Sequence, residues 1–361
     1  MNIKISLLKF IDRVVGGVVR FWPAPSRRPH GALQSILVIR PGGIGDAVHL
    51  LPLLQRLRGC FPTARIFVLG ERRNVGVFVL SPVKVTVLCY DRPLEFLRSL
   101  ISQYDVVIDS EQWHCLSAVV ARMVRAPVKI GFAGNVRQRL FTDPLPYSQE
   151  KYEAEIFLSL LTPLGIPYKS LPPPPWLRIP YNIASEITSL RTKVDGRYLV
   201  LFPGASIAAR RWGAERFRLL ARAIYEIGWQ VVVVGGRDDC STADAICRDG
   251  WGHDFSGQTS LAGTAALIAG ADLLVSGDSG LLHIGVALGI PTVSFFGPGI
   301  AEKWAPRGEG HSVLNLQLPC SPCTLFGTTP ACKNKLACLS GISVDAVIQA
   351  VKKQLLQNGI D

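Results

Sequence analysis

The sequence predicts an α/β protein of two doubly wound domains, each a parallel sheet with helices on both faces, which face a common cleft. Three observations favour this class. Strand-like and helix-like segments alternate from about residue 35 onwards, which is the pattern of parallel sheets with crossover helices. A β-branched strand that runs into a glycine-rich turn with an aspartate occurs twice, at residues 36–46 and 271–280. The 361 residues suffice for two separate cores.

The periodicity places the elements of each domain. In the first domain, strands are predicted at 36–40, 65–70, 84–89 and 105–109, and helices near 46–59, 93–103, 113–124 and 151–165. In the second, strands are predicted near 198–202, 230–234, 272–275 and 292–296, and helices near 214–227, 241–249, 260–269, 279–288 and 343–357. The proline run at 171–176 can be neither helix nor central strand and predicts the connection between domains. We therefore divide the chain into residues 1–30, 31–175 and 176–361.

Residues 3–22 are predicted to form one amphipathic helix, followed by a linker at 23–29. Lys4, Lys9, Arg13 and Arg20 occupy one side, and apolar residues occupy the other: Leu7, Leu8, Ile11, Val14, Val15, Val18, Val19 and Trp22. The pattern is typical of a helix that lies in a membrane interface, and it equally suits a helix packed on the protein's own surface. The chain has no run of eighteen apolar residues, which argues against a transmembrane helix.

The net charge of +12 is concentrated in the first half of the chain. Residues 1–180 contain 23 Lys and Arg and 12 Asp and Glu, whereas residues 181–361 contain 16 and 15. A basic field on one side suggests an acidic partner, such as a phosphorylated lipid, an anionic glycan, a membrane surface or a nucleic acid. The alternative is an ordinary solvated basic surface.

The first glycine-rich turn, Gly42-Gly43-Ile44-Gly45-Asp46, leaves backbone N–H groups at a helix N-terminus, where phosphate binds. Gly43-x-Gly45 could open a dinucleotide site, with Glu71 after the next strand as the ribose-binding acid. However, Val48 fills the third glycine position, and Asp46 would face the phosphate. Asp46 could instead simply cap the helix.

Two segments of the second domain have the groups that a diphosphate requires. Residues 203–206 end a strand in a turn that closes with Ser206, and Arg210, Arg211 and Trp212 follow. Residues 277–283 form a second turn with Asp278, Ser279, Gly280 and His283. Hydroxyl, amide and guanidinium groups would converge on phosphate oxygens. In the alternative interpretation, Asp278 caps its helix and His283 is a buried structural side chain.

Nine cysteines are present, and four of them follow the spacing C-x2-C-x8-C-x5-C, at Cys320, Cys323, Cys332 and Cys338. This spacing predicts a structural zinc or iron site, with free thiols or disulfides as the alternative. Residues 1–22 carry charges inside their apolar stretch and do not form a cleavable signal peptide pattern. We therefore expect a reducing, cytoplasmic setting, in which clustered cysteines more often bind metal than pair.

Taken together, these segments resemble family 9 glycosyltransferases, the family of the bacterial lipopolysaccharide heptosyltransferases. The matching pieces are residues 39–52, Pro203-Gly204-Ala205-Ser206 with Arg211-Trp212, residues 277–283 and Phe296-Gly297-Pro298. The resemblance implies a GT-B fold of two Rossmann-like domains, with the acceptor on the first and the nucleotide-sugar donor, typically ADP-heptose, on the second. It also implies inverting transfer. The related autotransporter heptosyltransferases carry iron in a four-cysteine site.

The resemblance assigns roles to matching positions. Asp46 corresponds to the catalytic base, Ser206 to a hydroxyl ligand of the donor phosphate, and Asp278, Ser279 and Gly280 to the donor loop. Arg210 stands where these enzymes usually have a lysine that contacts phosphate, and this exchange keeps the charge but changes its geometry. Gly43, Gly45, Arg211 and His283 complete the predicted binding residues.

The predicted function is transfer of a heptose from ADP-heptose to a hydroxyl of a lipopolysaccharide core or related anionic, lipid-linked glycan, without a catalytic cofactor. The enzyme would be cytoplasmic and peripherally attached to the inner membrane through residues 3–22, and nucleic acid is not expected as a partner. Two alternatives are an NAD-dependent oxidoreductase that uses the first turn and a noncatalytic glycan- or lipid-binding protein on the same fold.

Overall fold

A computed structural model describes residues 11–12, 14–19, 21–26, 32–167, 170–357 and 359, without the side chains of residues 184 and 186. Residues 3–10, 13 and 20 of the predicted amphipathic helix lie outside the described residues. The chain divides into two units, of which the first ends at Pro172 and the second begins at Pro173.

The first unit contains a six-stranded parallel sheet in the order β3-β2-β1-β4-β5-β6. Its strands are β1 (Ser35–Ile39), β2 (Arg65–Gly70), β3 (Thr86–Cys89), β4 (Val106–Asp109), β5 (Val128–Phe132) and β6 (Asp143–Leu145). The strand order reverses direction between β1 and β4, and ligands of doubly wound sheets bind at such a switch point. The turn with Asp46 directly follows β1 and therefore lies at this point.

The helices of the first unit are α1 (Ile44–His49), α2 (Leu51–Cys60), α3 (Val75–Val79), α4 (Pro93–Ile101), α5 (Cys115–Met123) and α6 (Glu153–Ser159). The single helix predicted at 46–59 is wrong, because the structure has two helices that meet at Leu50. Pro52 lies in the first turn of α2. Since proline has no N–H to donate to a preceding carbonyl, it favours the start of a helix over its interior.

The second unit repeats this topology, with its sheet in the order β12-β11-β10-β7-β8-β9 and all pairs parallel. Its strands are β7 (Tyr198–Phe202), β8 (Gln230–Val233), β9 (His253–Asp254), β10 (Leu273–Gly277), β11 (Thr292–Phe296) and β12 (His311–Asn315). The switch point lies between β7 and β10. The two predicted phosphate-binding segments directly follow these two strands, so the topology brings them to one position.

The helices of the second unit are α7 (Tyr181–Glu186), α8 (Thr188–Arg191), α9 (Ala214–Glu226), α10 (Cys240–Cys247), α11 (Leu261–Ala269), α12 (Gly280–Leu288), α13 (Ala301–Trp304), α14 (Ala337–Ser340) and α15 (Val344–Gln357).

Trp212 lies in the centre of the core of the second unit, where it contacts Phe217 and Phe295. Its indole N–H donates to the Ile342 carbonyl at 3.0 Å. This buried anchor holds the adjacent Arg210-Arg211 segment at the end of the sheet.

The N-terminal segment packs against the first unit with one side and exposes the other. Val19 is buried in the core of that unit, and Val15 and Trp22 pack around it. Val18 and Phe21 are exposed. The described part of the segment therefore packs on its own domain, as one of the two sequence interpretations expects, and contact with a membrane stays a prediction. Among the described residues, no helix combines the length and apolar character needed to cross a bilayer.

Polar contacts of Asp12 connect this segment to the start of α5. Asp12 Oδ1 accepts the Leu116 N–H at 2.9 Å, and Asp12 Oδ2 lies 3.5 Å from His114 Nδ1. Partial burial acts to raise the pKa of Asp12, but its hydrogen bonds with His114 and Leu116 outweigh burial and lower the pKa. The segment is thus attached by polar contacts as well as by apolar packing.

Candidate active site

Asp46 lies in the first turn of α1, directly after the glycine turn at the end of β1. Gly42 has φ of +108°, a conformation that residues with a Cβ rarely adopt. The Gly43 N–H donates to Asp46 Oδ2 at 3.0 Å. Asp46 therefore caps its helix, as the alternative interpretation expects, and this contact fixes one carboxylate oxygen while Oδ1 is left for a further donor.

A set of polar side chains after β2 holds this turn in place. The Gly42 N–H donates to Glu71 Oε1 at 2.7 Å. The buried Asn74 amide donates to the carbonyls of Arg40 and Gly42 at 3.0 and 3.1 Å. Arg73 pairs with Glu71, with Nε 2.5 Å from Oε2. We name Glu71, Arg73 and Asn74 the turn clamp.

Carboxylates occupy both of the first two amides of the turn, since Glu71 takes the Gly42 N–H and Asp46 takes the Gly43 N–H. A phosphate at this position would meet two negative charges and no available N–H from these residues. The expectation that Gly43 binds a ligand through its amide is therefore not supported, and Gly42 and Gly43 shape the turn instead. Because Glu71 is engaged with the turn, it is also poorly suited to bind a ribose.

Asp46 influences two neighbouring side chains of the first unit. Burial acts to lower the pKa of Arg73, but the hydrogen bond to Glu71 and the charges of Glu71 and Asp46 outweigh it and raise the pKa. Burial, together with the charges of Glu153 and Asp46, raises the pKa of the Tyr147 hydroxyl. Tyr147 donates to Glu153 Oε2 at 3.0 Å. Asp46 thus lies within electrostatic reach of a cation and a neutral hydroxyl donor.

Sequence reasoning missed most of these neighbours. Residues 71–74 form a polar run directly after a predicted strand, and this signal could have indicated the turn clamp. Glu153 and Tyr147 carry no such signal, because they come near Asp46 only through the fold.

In the second unit, Arg210 and Asp278 form an ion pair across the switch point. Arg210 Nη1 lies 2.9 Å from Asp278 Oδ2, and the side chains are 18% and 5% exposed. Two glycines permit this approach, since a Cβ on Gly277 would lie 3.0 Å from the Arg210 carbonyl and one on Gly299 would overlap the Asp278 carboxylate. Asp278 therefore pairs with Arg210, whereas the cap that the alternative interpretation assigned to it is supplied by Ser279. The predicted role of Asp278 in donor binding stays a prediction.

Ser279 is the residue that caps α12. Its Oγ accepts the Leu282 N–H at 3.2 Å and lies 2.8 Å from Ser276 Oγ. Gly280 is the first residue of the helix, whose N-terminus favours negative charge. The predicted donor loop thus has the geometry of an anion site at a helix start, next to the guanidinium of Arg210.

The remaining predicted binding residues of the second unit differ in their surroundings. Ser206 is exposed at the end of its turn. Arg211 donates from Nε and Nη2 to the Ala205 carbonyl, both at 3.1 Å, and so stabilises that turn. His283 is buried on α12, with its ring centroid 6.0 Å from that of Trp304. Its placement is that of a buried side chain, and a role in binding stays a prediction.

The four clustered cysteines are free thiols in one region of the second unit. Burial, followed by the charges of Cys320, Cys323 and Cys332, raises the pKa of Cys338. Within the described residues, however, no three His, Cys, Asp or Glu side chains are arranged to hold one metal ion. Cys338 instead packs against the end of β11, where a Cβ on Gly297 would lie 3.0 Å from its Sγ. The structure does not support the predicted structural metal, and elemental analysis of the purified protein tests it directly.

Comparison with known proteins identifies the family. The family model for glycosyltransferase family 9 (heptosyltransferase) matches residues 94–332, more than half of the chain. Lipopolysaccharide heptosyltransferase 2 of Salmonella typhimurium is 26% identical over 311 residues, which cover 78% of this chain and 88% of the relative. Lipopolysaccharide heptosyltransferase 3 of Escherichia coli is 25% identical over 293 residues, which cover 73% and 83%.

Solved structures show the same fold. ADP-heptose LPS heptosyltransferase II of Escherichia coli aligns with a TM-score of 0.73 and 23% identity, over 90% of this chain and 100% of that chain. A family 9 glycosyl transferase from Veillonella parvula aligns with a TM-score of 0.75 and 22% identity, over 91% and 99%. The predicted GT-B fold is confirmed. Because the family model matches more than half of the chain, the chain belongs to glycosyltransferase family 9, the heptosyltransferase family, and is a glycosyltransferase.

Proposed function

We propose that this chain is an inverting heptosyltransferase that moves a heptose from ADP-heptose to a hydroxyl of a lipopolysaccharide core or a related anionic glycan. The observation that carries the proposal is the division of charge between the two switch points. In the first unit the turn is lined by the carboxylates of Asp46 and Glu71, of which Glu71 is paired with Arg73. In the second, Arg210, which is paired with Asp278, lies beside a helix N-terminus. The first arrangement suits a base, and the second suits a diphosphate.

On the donor side, Arg210 and the start of α12 would neutralise the diphosphate of ADP-heptose. Ser206 offers an exposed hydroxyl as a further donor. Asp278 holds the Arg210 guanidinium before the ligand binds, so that little reorganisation is needed when charge develops on the leaving ADP. We expect these groups to act without a catalytic cofactor.

On the acceptor side, Asp46 would take the proton of the acceptor hydroxyl. The hydroxyl oxygen then forms a bond to the anomeric carbon of the heptose. The bond from that carbon to the phosphate oxygen breaks, and ADP leaves with the electron pair. Because this is a single displacement from the opposite face, the anomeric configuration inverts.

The structure also bears on the two alternatives. An NAD-dependent oxidoreductase would need phosphate at the first turn, where the Gly42 and Gly43 amides are held by Glu71 and Asp46. A noncatalytic glycan- or lipid-binding protein would keep the fold, and Asp46 would then serve only as the cap of its helix. The experiment below separates all three possibilities.

Product analysis tests the function. The protein is incubated with ADP-heptose and a defined truncated lipopolysaccharide, and we expect mass spectrometry to show the addition of one heptose and NMR to show an inverted anomeric centre. UDP-glucose and NADH serve as controls in thermal-shift measurements, in which a ligand at 100 times its Kd stabilises by about 2.7 kcal/mol. Stabilisation by NADH alone, or binding of ADP-heptose with no product on any acceptor, would contradict the proposal.

We further propose that the enzyme works in the cytoplasm and attaches peripherally to the inner membrane through residues 3–22. Support comes from the exposed Val18 and Phe21 and from the basic first half of the chain. The helix end carries an aromatic side chain that is 89% exposed, which suits the interface of a bilayer.

Replacing Val18 and Phe21 by serine should lower partition onto vesicles of anionic phospholipid about tenfold, because two apolar side chains no longer insert. Vesicle sedimentation measures the effect. The matched control is Tyr181→Ser in the second unit, since Tyr181 is also 89% exposed. Point variants are preferred to removal of the segment, because Val19 belongs to the core of the first unit. Equal partition of the native chain and the Val18/Phe21 variant would show that this segment does not contact lipid.

A further inference from the structure

Helix α4 of the first unit carries an outward stripe of apolar side chains that the catalytic machinery does not use. Leu94, Leu97 and Ile101 are 83%, 52% and 60% exposed. Their spacing of three and four residues places them on one face of the helix. The opposite face is also apolar, because Phe96 and Leu100 pack against the core. We name Leu94, Leu97 and Ile101 the α4 stripe. Solvent exposure of three large aliphatic side chains on one short helix indicates a contact surface.

We infer that the α4 stripe docks on the surface of an anionic phospholipid bilayer and forms a second membrane contact besides the N-terminal segment. The inference rests on the proposed function in one respect, since a lipid-linked acceptor requires an enzyme that works at a membrane.

Packing places the stripe in the same helical layer as the N-terminal segment. Trp22 and Val19 of that segment belong to the same cluster as Phe96 and Leu100 of α4. Both elements therefore cover the same side of the sheet with their inner faces, and both have apolar side chains on their outer faces. Two such helices in one layer make a broader apolar surface than either alone, and interfacial binding strengthens with buried apolar area.

The charges around the stripe suit anionic lipid. The carboxylates nearby are already paired, since Asp91 lies 3.6 Å from Arg72 and Glu95 lies 2.8 Å from Arg92. Arg98 is exposed on α4 itself, and within the described residues its side chain has no carboxylate partner. Arg125 is also exposed, and its side chain has no carboxylate partner among the described residues. Its backbone lies near the C-terminal end of α4, since the Arg125 carbonyl accepts the Tyr104 N–H.

The side chains of Arg98 and Arg125 can place their methylene groups along the stripe and keep the guanidinium at the level of the lipid headgroups. Each basic side chain near an anionic bilayer strengthens the attraction. A convex apolar stripe flanked by surplus positive charge fits a bilayer surface better than it fits a groove in a protein.

The stripe also begins at the end of the sheet where Asp46 lies. Helix α4 starts just after β3, and the Arg72 N–H donates to Asp91 there at 3.2 Å. Arg73, the next residue, is influenced by the charge of Asp46. Because the carboxyl ends of parallel strands share one edge, a bilayer against Leu94 would lie beside the edge that carries the base. A lipid-anchored acceptor could then reach Asp46 without leaving the membrane.

Vesicle binding of the full chain tests the inference. Leu94 and Leu97 are both replaced by glutamine, which adds no charge, and sedimentation is measured with vesicles of phosphatidylethanolamine and phosphatidylglycerol. We expect partition to fall about tenfold or more. The matched control replaces Leu219 and Leu356, two exposed leucines of the second unit, by glutamine and should leave partition unchanged. Replacing Arg98 and Arg125 by glutamine should lower partition about tenfold on anionic vesicles and have little effect on phosphatidylcholine.

Turnover separates this inference from the proposed function. With a deacylated, water-soluble acceptor, the Leu94/Leu97 variant should turn over at the native rate, whereas with an acceptor embedded in vesicles it should be slower. A different outcome is that the native chain transfers no heptose while the Leu94/Leu97 variant still binds vesicles more weakly than the native chain. The proposed function would then be wrong, and the inference about the α4 stripe would be retained. The inference is wrong if the variant partitions like the native chain, or if the control loses as much. It is also wrong if light scattering shows that the stripe only joins copies of this chain.

Discussion

Asp46→Asn is expected to lower turnover by about 10²- to 10⁴-fold, because a general base contributes about this factor and an amide cannot take the acceptor proton at neutral pH. Affinity for ADP-heptose should change little, since Asp46 belongs to the first unit and the donor groups belong to the second. The structure makes asparagine the informative replacement. Its side-chain oxygen can still accept the Gly43 N–H that Asp46 accepts at 3.0 Å, so the helix cap is retained while the base is lost.

Steady-state kinetics and calorimetry with ADP-heptose measure the two effects. A matched control for the cap is Asp239→Asn, because Asp239 accepts the Gly236 N–H at 3.0 Å in the second unit. In thermal unfolding, both asparagine variants should lose no more than about 1 kcal/mol. If Asp46→Asn turned over at the native rate, its carboxylate would be only a cap, and another group would have to be the base.

Arg210→Ala is expected to weaken ADP binding by about 10- to 100-fold, which is the effect of losing a charge-assisted hydrogen bond of about 1.5–3 kcal/mol. Transfer should slow further, because negative charge on the diphosphate rises as the glycosidic bond breaks. The ion pair with Asp278 adds a second consequence. Arg210→Ala removes one positive partner from the Asp278 carboxylate, which is 5% exposed in the native chain, so the variant should also be less stable and should repel the diphosphate.

The Arg210→Ala, Asp278→Asn double variant separates these contributions. It should recover much of the lost thermal stability, because the buried carboxylate that lost its ion pair with Arg210 is also removed, yet it should not recover native ADP affinity. Arg210→Lys should keep much of the activity, since related enzymes are expected to have lysine at this position. If calorimetry shows unchanged ADP affinity in Arg210→Ala, or a larger loss of ADP affinity in Arg211→Ala, then Arg211 and not Arg210 makes the phosphate contact.

The alternation of strand and helix predicted eight of the strands, and each has a counterpart in the structure. Four strands were missed, and they are short or have an interrupted pattern. One of them, β12, has polar residues at three of its five positions. β6 has three residues and contains Pro144, and β9 has two. β5 contains Lys129 and Gly131, neither of which favours a buried strand.

Tertiary contacts explain why β5 forms although it contains Lys129 and Gly131. Lys129 is 4% exposed, and its ammonium donates to the Ala121 carbonyl at 2.9 Å and to the Val124 carbonyl. The missing side chain of Gly131 leaves room for the Phe141 ring, which a Cβ would overlap. Burial also lowers the pKa of Lys129 to about 8. No pattern along the chain reveals that a charged residue will be buried in this way.

Hydrophobic periodicity and turn residues act over a few positions, so they were enough to predict the fold class, the two glycine turns and the groups that follow them. How those groups are paired depends on tertiary contacts, which join Gly42 to Glu71 and Arg210 to Asp278. In each pair the two residues follow different strands of a parallel sheet, so at least one whole crossover connection separates them in sequence. Their distance is a property of strand order, and local patterns carry no information about it.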